Sequence, residues 1–120
     1  KLICYIPDKF LMKRLFLKKG SKGGFQYHRV KDEAGILISG KLLVRFDDGA
    51  GGVTSKTVFP GESFHFAPGI VHQEEALEDC VIIEGSTTVF NDRVRMDKEY
   101  GFGEPIGMPT TTLEEIKFDL

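Results

Sequence analysis

The sequence predicts an all-β domain, a sandwich or barrel of short antiparallel strands, and three observations predict it. Gly and Pro break the chain at short, fairly regular intervals: Gly20, Gly23 and Gly24, then Gly40, then Asp47-Asp48-Gly49-Ala50-Gly51-Gly52, then Pro60-Gly61 and Pro68-Gly69. The runs between them are short, apolar and rich in β-branched and aromatic residues. Several alternate with a period of two, and no helical periodicity is evident before the C-terminal tail.

Taken in order, Leu11–Leu17 is the first run, ahead of the Gly20–Gly24 break. Gln26 and His28 lie two apart, so on a strand they face one side and Tyr27 faces the other. Glu33 follows after a spacing that suits a tight turn, and 35–39 continues that strand to Gly40. In Leu42-Leu43-Val44-Arg45-Phe46 the apolar residues 42, 44 and 46 share a face. Val53–Phe59 runs from the Asp/Gly-rich break to Pro60. In Ser63–Phe66 the two phenylalanines face one way and His65 the other, which leaves His65 out of any site on the Phe side. His72 opens the strand after Pro68-Gly69, and Glu74 shares its face. Cys80, Ile82 and Glu84 share one face and Val81 and Ile83 the other. Both are largely apolar, so burial on both faces is expected. The tail is a loop of Gly101, Gly103, Pro105, Gly107 and Pro109. Thr111-Thr112-Leu113-Glu114 then matches a capping box and predicts a short helix near 112–118.

A chain of 120 residues has room for one core. A hydrophobic fraction of 41% and a charged fraction of 28% are those of an ordinary globular domain. The net charge of -2 gives no reason to expect nucleic acid, for which a basic footprint would be the first sign. The cluster Lys13, Arg14, Lys18, Lys19 and Lys22 reads as a solvated strand edge. No segment approaches the roughly 20 apolar residues of a membrane helix, and no secretory signal pattern opens the chain. The first residue is Lys, so the chain could be cut from a longer polypeptide. Cys4 and Cys80 match no C-x-x-C motif, and free thiols in a reducing, cytoplasmic compartment are expected.

Four residues carry the chemistry. Gln26, His28 and Glu33 form Q-x-H-x4-E, and His72 stands four residues after Pro68. Two imidazoles, a carboxylate and an amide oxygen can together hold one divalent ion and leave room for water or substrate. Imidazole nitrogens suit zinc, iron and nickel, and the oxygen ligands extend the range to manganese. Zinc is the first choice.

These residues sit in two motifs that resemble those of the cupin superfamily. The first is G-F-Q-Y-H-R-V-K-D-E-A-G-I-L-I-S-G, ending at Gly40. The second is G-E-S-F-H-F-A-P-G-I-V-H-Q-E-E-A, in which Gly61, Gly69 and His72 match. Gln26 stands where most cupins have His, Ala67 replaces a proline and Ala76 an asparagine. Within the superfamily the chain looks most like the C-terminal cupin of type II mannose-6-phosphate isomerases, which share Q-x-H-x4-E. Glu84, Asp92, Val94, Arg95, Tyr100 and Gly101 also fit the end of that group's domain. The resemblance covers about residues 10–102. The group's His-rich stretch around the ligands is replaced here by H-R-V-K-D-E-A-G.

The resemblance implies a single-domain cupin, a double-stranded β-helix or jelly-roll barrel, spanning 1–120, with the barrel at about 10–102 and a tail at 103–120. It implies Gln26, His28, Glu33 and His72 as metal ligands, and aldose–ketose isomerisation of a sugar phosphate through an enediolate. Glu33 is then occupied as a ligand, which leaves Glu74 or Glu84 as the base, and Arg95 is nominated for the phosphate. It further implies a homodimer formed through outer strands. A non-catalytic small-molecule-binding or regulatory module and a metal-dependent oxygenase remain open as alternatives, because the fold hosts all three.

Overall fold

The computed structural model describes residues 1–90 and 92–97. The tail at 103–120 and the short helix expected near 112–118 lie outside them. The described strands are β1 (Leu2–Ile6), β2 (Phe10–Leu17), β3 (Gln26–His28), β4 (Glu33–Ser39), β5 (Leu42–Asp47), β6 (Val53–Val58), β7 (Ser63–Phe66), β8 (His72–Ala76), β9 (Cys80–Ser86) and β10 (Arg93–Arg95). They form two five-stranded sheets, in the orders β1-β2-β9-β4-β7 and β10-β3-β8-β5-β6, with antiparallel pairing throughout. This is the expected all-β architecture. The sequence reading passed over β1, which joins the first sheet through a hairpin with β2.

Alternation decides what each strand contributes to the space between the sheets. In β2 Leu11, Leu15 and Leu17 are buried, whereas Phe10, Arg14 and Phe16 are exposed. In β4 Glu33, Gly35 and Leu37 are buried, and Ala34, Ile36 and Ile38 are exposed. In β9 Cys80, Ile82, Glu84 and Ser86 are buried, but Val81 and Ile83 are only half-buried. Burial of β9 on both faces therefore does not hold: β2 and β4 flank it within the sheet, and its outer face is left partly open.

Register divides the interior lengthwise. In the first sheet Leu17 lies opposite Cys80, and Leu15, Ile82 and Leu37 form the next inward row. The following rows are polar: Lys13, Glu84 and Gly35, then Leu11, Ser86 and Glu33. In the second sheet Leu42 lies opposite Ala76, then Val44 opposite Glu74, then Phe46 opposite His72. One half of the barrel is thus packed with Leu15, Leu17, Leu37, Leu42, Ile82 and their neighbours. Each such side chain contributes about 1.5–3 kcal/mol by burial. The other half is lined by groups that can do chemistry.

Two local devices hold the polar half open. The segment from Ser21 to Gly24 runs beside β8: Ala76 N–H donates to the Ser21 carbonyl and Gly23 N–H to that of Glu74. Gln73, fully buried on the outward face of β8, donates through Nε2 to the Gly23 carbonyl at 3.0 Å. That placement delivers Gln26 directly opposite His72. At the far edge Asp97 accepts from Phe25 N–H at 2.8 Å and from Arg95 Nε at 2.7 Å. Burial pushes the Asp97 carboxyl up, but Arg95 and the Phe25 N–H outweigh burial and hold it below the usual Asp value of 3.8. A depressed native pKa stabilises the fold above the unfolded value, and the stabilisation fades as pH falls through the native one. Asp97→Asn should therefore flatten the acid limb of the stability curve below about pH 4. Urea melts between pH 2 and pH 7 check this, and an unchanged limb in the variant would disprove it.

Candidate metal centre

His28, buried at the end of β3, turns Nδ1 to Asp92 Oδ1 at 3.0 Å. Asp92 Oδ2 accepts the backbone N–H groups of Val30 and Lys31, both at 2.8 Å. Burial pushes the Asp92 carboxyl up, yet those two N–H groups and His28 hold it below its ordinary value. An ionised carboxylate can only accept, so His28 donates through Nδ1, and Nε2 is the nitrogen left to face Glu33 or a metal ion.

His72 reaches the same state by another route. Its Nδ1 lies 3.0 Å from the Ile70 carbonyl, an obligate acceptor, so Nδ1 is again the donor and Nε2 is the nitrogen turned inward. The Phe66 ring stacks on it, with centroids 3.7 Å apart and planes 8° from parallel, and fixes its orientation.

Both Nε2 atoms face one oxygen. His28 Nε2 is 3.5 Å from Glu33 Oε1, and His72 Nε2 is 3.6 Å from the same atom. Glu33 comes from the opposite sheet, at the start of β4, so the two sheets meet through these side chains. Its other oxygen lies 3.7 Å from Lys31 Nζ. Burial pushes the Glu33 carboxyl up, but its interactions with His28 and His72 and the charge of Lys31 outweigh burial and hold it well below the usual carboxylate range. Gln26, half-buried, shares the inward face of β3 with His28 and stands opposite His72. The structure thus brings all four expected ligand positions to one end of the barrel.

The donor chemistry suits a borderline divalent ion: imidazole nitrogens, one carboxylate and an amide oxygen. Three electron-rich atoms facing one another need a cation among them, a proton or a metal ion. The 3.5 and 3.6 Å separations exceed the about 2.7–2.9 Å of an imidazolium–carboxylate hydrogen bond. They lie close to the about 3.4 Å between donors that share a tetrahedral ion at about 2.1 Å. Among the described residues no group of three or more His, Cys, Asp or Glu side chains has the geometry to hold a metal ion as it stands. His28, His72 and Glu33 approach it, and the orientation of both imidazoles is already set by Asp92 and Ile70.

Two further carboxyls line the chamber. Glu74 follows His72 by two residues; burial, reinforced by the charges of Glu84 and Glu33, pushes its carboxyl well above the usual value. Although the residue as a whole is half-buried, its Oε2 is fully covered and has no hydrogen-bond partner. Glu84 faces inward from β9. Burial and the Glu33 charge push it up, while Lys13 and Lys31 pull it only partway back. Lys13 Nζ lies 3.6 Å from Glu84 Oε1, with the Lys13 side chain 14% exposed. Lys13 is therefore not part of a solvated edge. It occupies an inward position of β2, where Leu11, Leu15 and Leu17 already marked the buried parity.

Arg95 stands opposite Gln26, lies against Gly24 and donates through Nε to Asp97. A Cβ at Gly24 would sit 2.7 Å from that guanidinium and would push the Arg95 side chain aside. His65, as parity required, points outward and pairs with Asp32 at 2.6 Å. Two residues of the site carried no assigned role in the sequence. Asp92 lies 64 positions from His28, with no local signal linking them. Lys13 could have been found from the alternation of β2.

A shallow depression of about 380 Å³ lies mainly on the outer face of the first sheet, lined by Phe10, Met12, Ala34, His65 and Gly85, and touches only Glu33 of the four ligand candidates. A larger cavity of about 510 Å³, bounded by Phe46, Phe64, Phe66 and Ile70, contains none of the four ligand candidates.

No protein-family model and no curated protein matches the sequence. Solved structures do match the fold. The capsular polysaccharide assembling protein CapF from Staphylococcus aureus superposes with a TM-score of 0.70 at 23% identity, over 78% of this chain and 28% of that one. KdgF from Halomonas sp. gives 0.65 at 20% identity, over 77% of this chain and 79% of that one. A cupin-2 domain containing protein from Shewanella frigidimarina gives 0.59 at 24%, over 71% and 76%. This chain spans under a third of the length of CapF and is commensurate with the other two. Two antiparallel sheets, ten described strands and these superpositions agree: the chain has the cupin fold.

Proposed function

We propose that the chain binds one divalent ion, zinc in the first instance, through Gln26, His28, Glu33 and His72, and transfers a proton on a small sugar phosphate, in the manner of an aldose–ketose isomerase. The observation that carries this reading is the convergence of His28 Nε2 and His72 Nε2 on Glu33 Oε1, at 3.5 and 3.6 Å, with both Nδ1 atoms already engaged elsewhere. A divalent ion held there would act as a Lewis acid toward a neighbouring carbonyl.

The residues divide the work. Glu33, kept ionised, suits a ligand. Glu74 and Glu84, whose environments favour the protonated acid, suit the exchange of a proton with substrate. The apolar half of the barrel closes one end of the chamber against water. Arg95, nominated for the phosphate, is anchored to Asp97 through Nε.

A second reading is a ligand-binding module without chemistry of its own. It is favoured by one fact: the chain corresponds to 28% of CapF, so a cupin of this type can be one part of a larger protein. A coupled assay interconverting fructose 6-phosphate and mannose 6-phosphate, run on protein loaded with zinc, manganese, iron or nickel, decides between them. Turnover is expected, with kcat in Glu84→Gln lower by about 100-fold or more. Binding of the sugar phosphate without turnover under any metal would reject the isomerase and leave the module.

A further inference from the structure

Among the described strands no ladder joins β6 to β7, the strands that end the two sheets. The cavity of about 510 Å³ is lined from both of these strands. We infer that it is a second binding pocket, separate from the metal centre, and that it takes the uncharged ring of a small aromatic molecule. The pocket stands whether or not the centre holds a metal ion.

The apolar lining comes from both sheets: Val44, Phe46 and Val58 from the second, Phe64 and Phe66 from the first, and Ile70 from the turn before β8. Small-molecule pockets are mostly apolar and span about 300–1,000 Å³, and an apolar cavity of about 150 Å³ already admits benzene. The rings of Phe64 and Phe66 are tilted by 43° with centroids 5.4 Å apart, a spacing at which aromatic rings attract one another and a further ring can join. A glycine makes the space. Gly35, in the middle of β4, lies opposite Phe64. A Cβ at Gly35 would meet Phe64 Cζ at 2.5 Å, so the ring occupies the place of a missing side chain and leaves the gap toward β6 open. Glycine inside a strand weakens it and often marks such a close approach. Charged groups stay at the mouth. Asp48 is tied into the turn after β5, accepting from the Ala50 and Gly52 N–H groups and the Thr54 hydroxyl, and Asp47 Oδ1 accepts from Gly49 N–H. Lys56 shares the parity of Val58 but is exposed at the sheet edge. The interior therefore offers aromatic and dispersion contacts without a counter-charge, which suits an uncharged ring. Phe66 also stacks on His72, so a ring seated in this pocket lies one side chain from a metal-ligand candidate.

The chain has three histidines, and each reports on a different place. His65 lines the mouth of the pocket, His72 lies behind Phe66, and His28 stands on the far side of the centre. Indole is titrated into the full chain carrying isotope-labelled histidine, with glycerol as the polar control, and the imidazole resonances are followed by NMR. Indole should shift His65 and His72 saturably and His28 far less, and glycerol should shift none. Gly35→Ala, which drives the Phe64 ring into the gap, should weaken binding about tenfold or more. Should Gly35→Ala fold poorly, Phe46→Leu removes one wall ring at a half-buried position and should weaken binding about 3–10-fold. Shifts of His65 alone would put indole in the outer depression, and shifts of His28 larger than those of His65 would put it in the polar half of the barrel. Either result, no saturable shift, or unchanged affinity in both variants would overturn the inference.

Discussion

Protein carrying His28→Ala together with His72→Ala should lose its bound divalent metal, from a stoichiometric level to background. Both imidazoles present Nε2 to the same Glu33 oxygen, and with both removed only Glu33 and Gln26 remain of the proposed set. Oxygen ligands alone bind zinc far more weakly, so affinity should fall by well over about 100-fold. The effect should be graded. Asp92→Asn leaves every ligand in place but replaces one accepting oxygen by an NH2, so it cannot serve both His28 and the Val30 and Lys31 N–H groups, and a fall of about 10–100-fold is expected. His65→Ala should retain full metal content, because His65 is exposed and bound to Asp32 outside the chamber. Elemental analysis after dialysis against trace metal reads all three. Equal metal in wild type and the double variant, or none in wild type, would remove the ligand assignment.

The largest effect on stability should come from Gly40→Val. Gly40 closes the turn between β4 and β5 at a φ of +98°, a conformation that β-branched residues rarely adopt. A Cβ there would also strike the Asp79 carbonyl oxygen, which belongs to the backbone leading into β9 and cannot swing aside. Strain and clash together should cost on the order of 3–5 kcal/mol. That is comparable to the whole stability of a small domain, about 5–15 kcal/mol. Gly49→Ala separates the two causes. Gly49 has a similar φ of +79° but open space around it, so only the conformational cost of about 1–2 kcal/mol applies. Urea denaturation gives both values. A Gly40→Val protein no less stable than Gly49→Ala would show that the approach to Asp79 is not a constraint.

Strand parity and turn chemistry were readable because both are local. Gln26 and His28 share a face because successive side chains on a strand alternate, and this needs no knowledge of the partner strand. The same rule separated His65 from Phe64 and Phe66, and it would have turned Lys13 inward had the leucines around it been counted. Solvated lysine clusters are so common at strand edges that composition prevailed over parity there. β1 was missed because it is an edge strand whose partner, not its own sequence, gives it a register. The expected burial of β9 on both faces failed for a related reason. An apolar outer face says that a residue tolerates burial, not that a layer covers it.

By itself, then, the sequence determined the class of fold, the turns and the order of the four ligand candidates, since each depends on residues within a few positions of one another. Only the tertiary structure decided that Glu33 faces the two histidines from the opposite sheet, that Asp92 holds the ring of a histidine 64 positions away, and that Lys13 stands beside Glu84. It also separated the carboxyls, with Glu33 held ionised and Glu84 pushed toward its acid form. Burial and through-space charge set those states, and both are properties of neighbours that the chain acquires only when its sheets close.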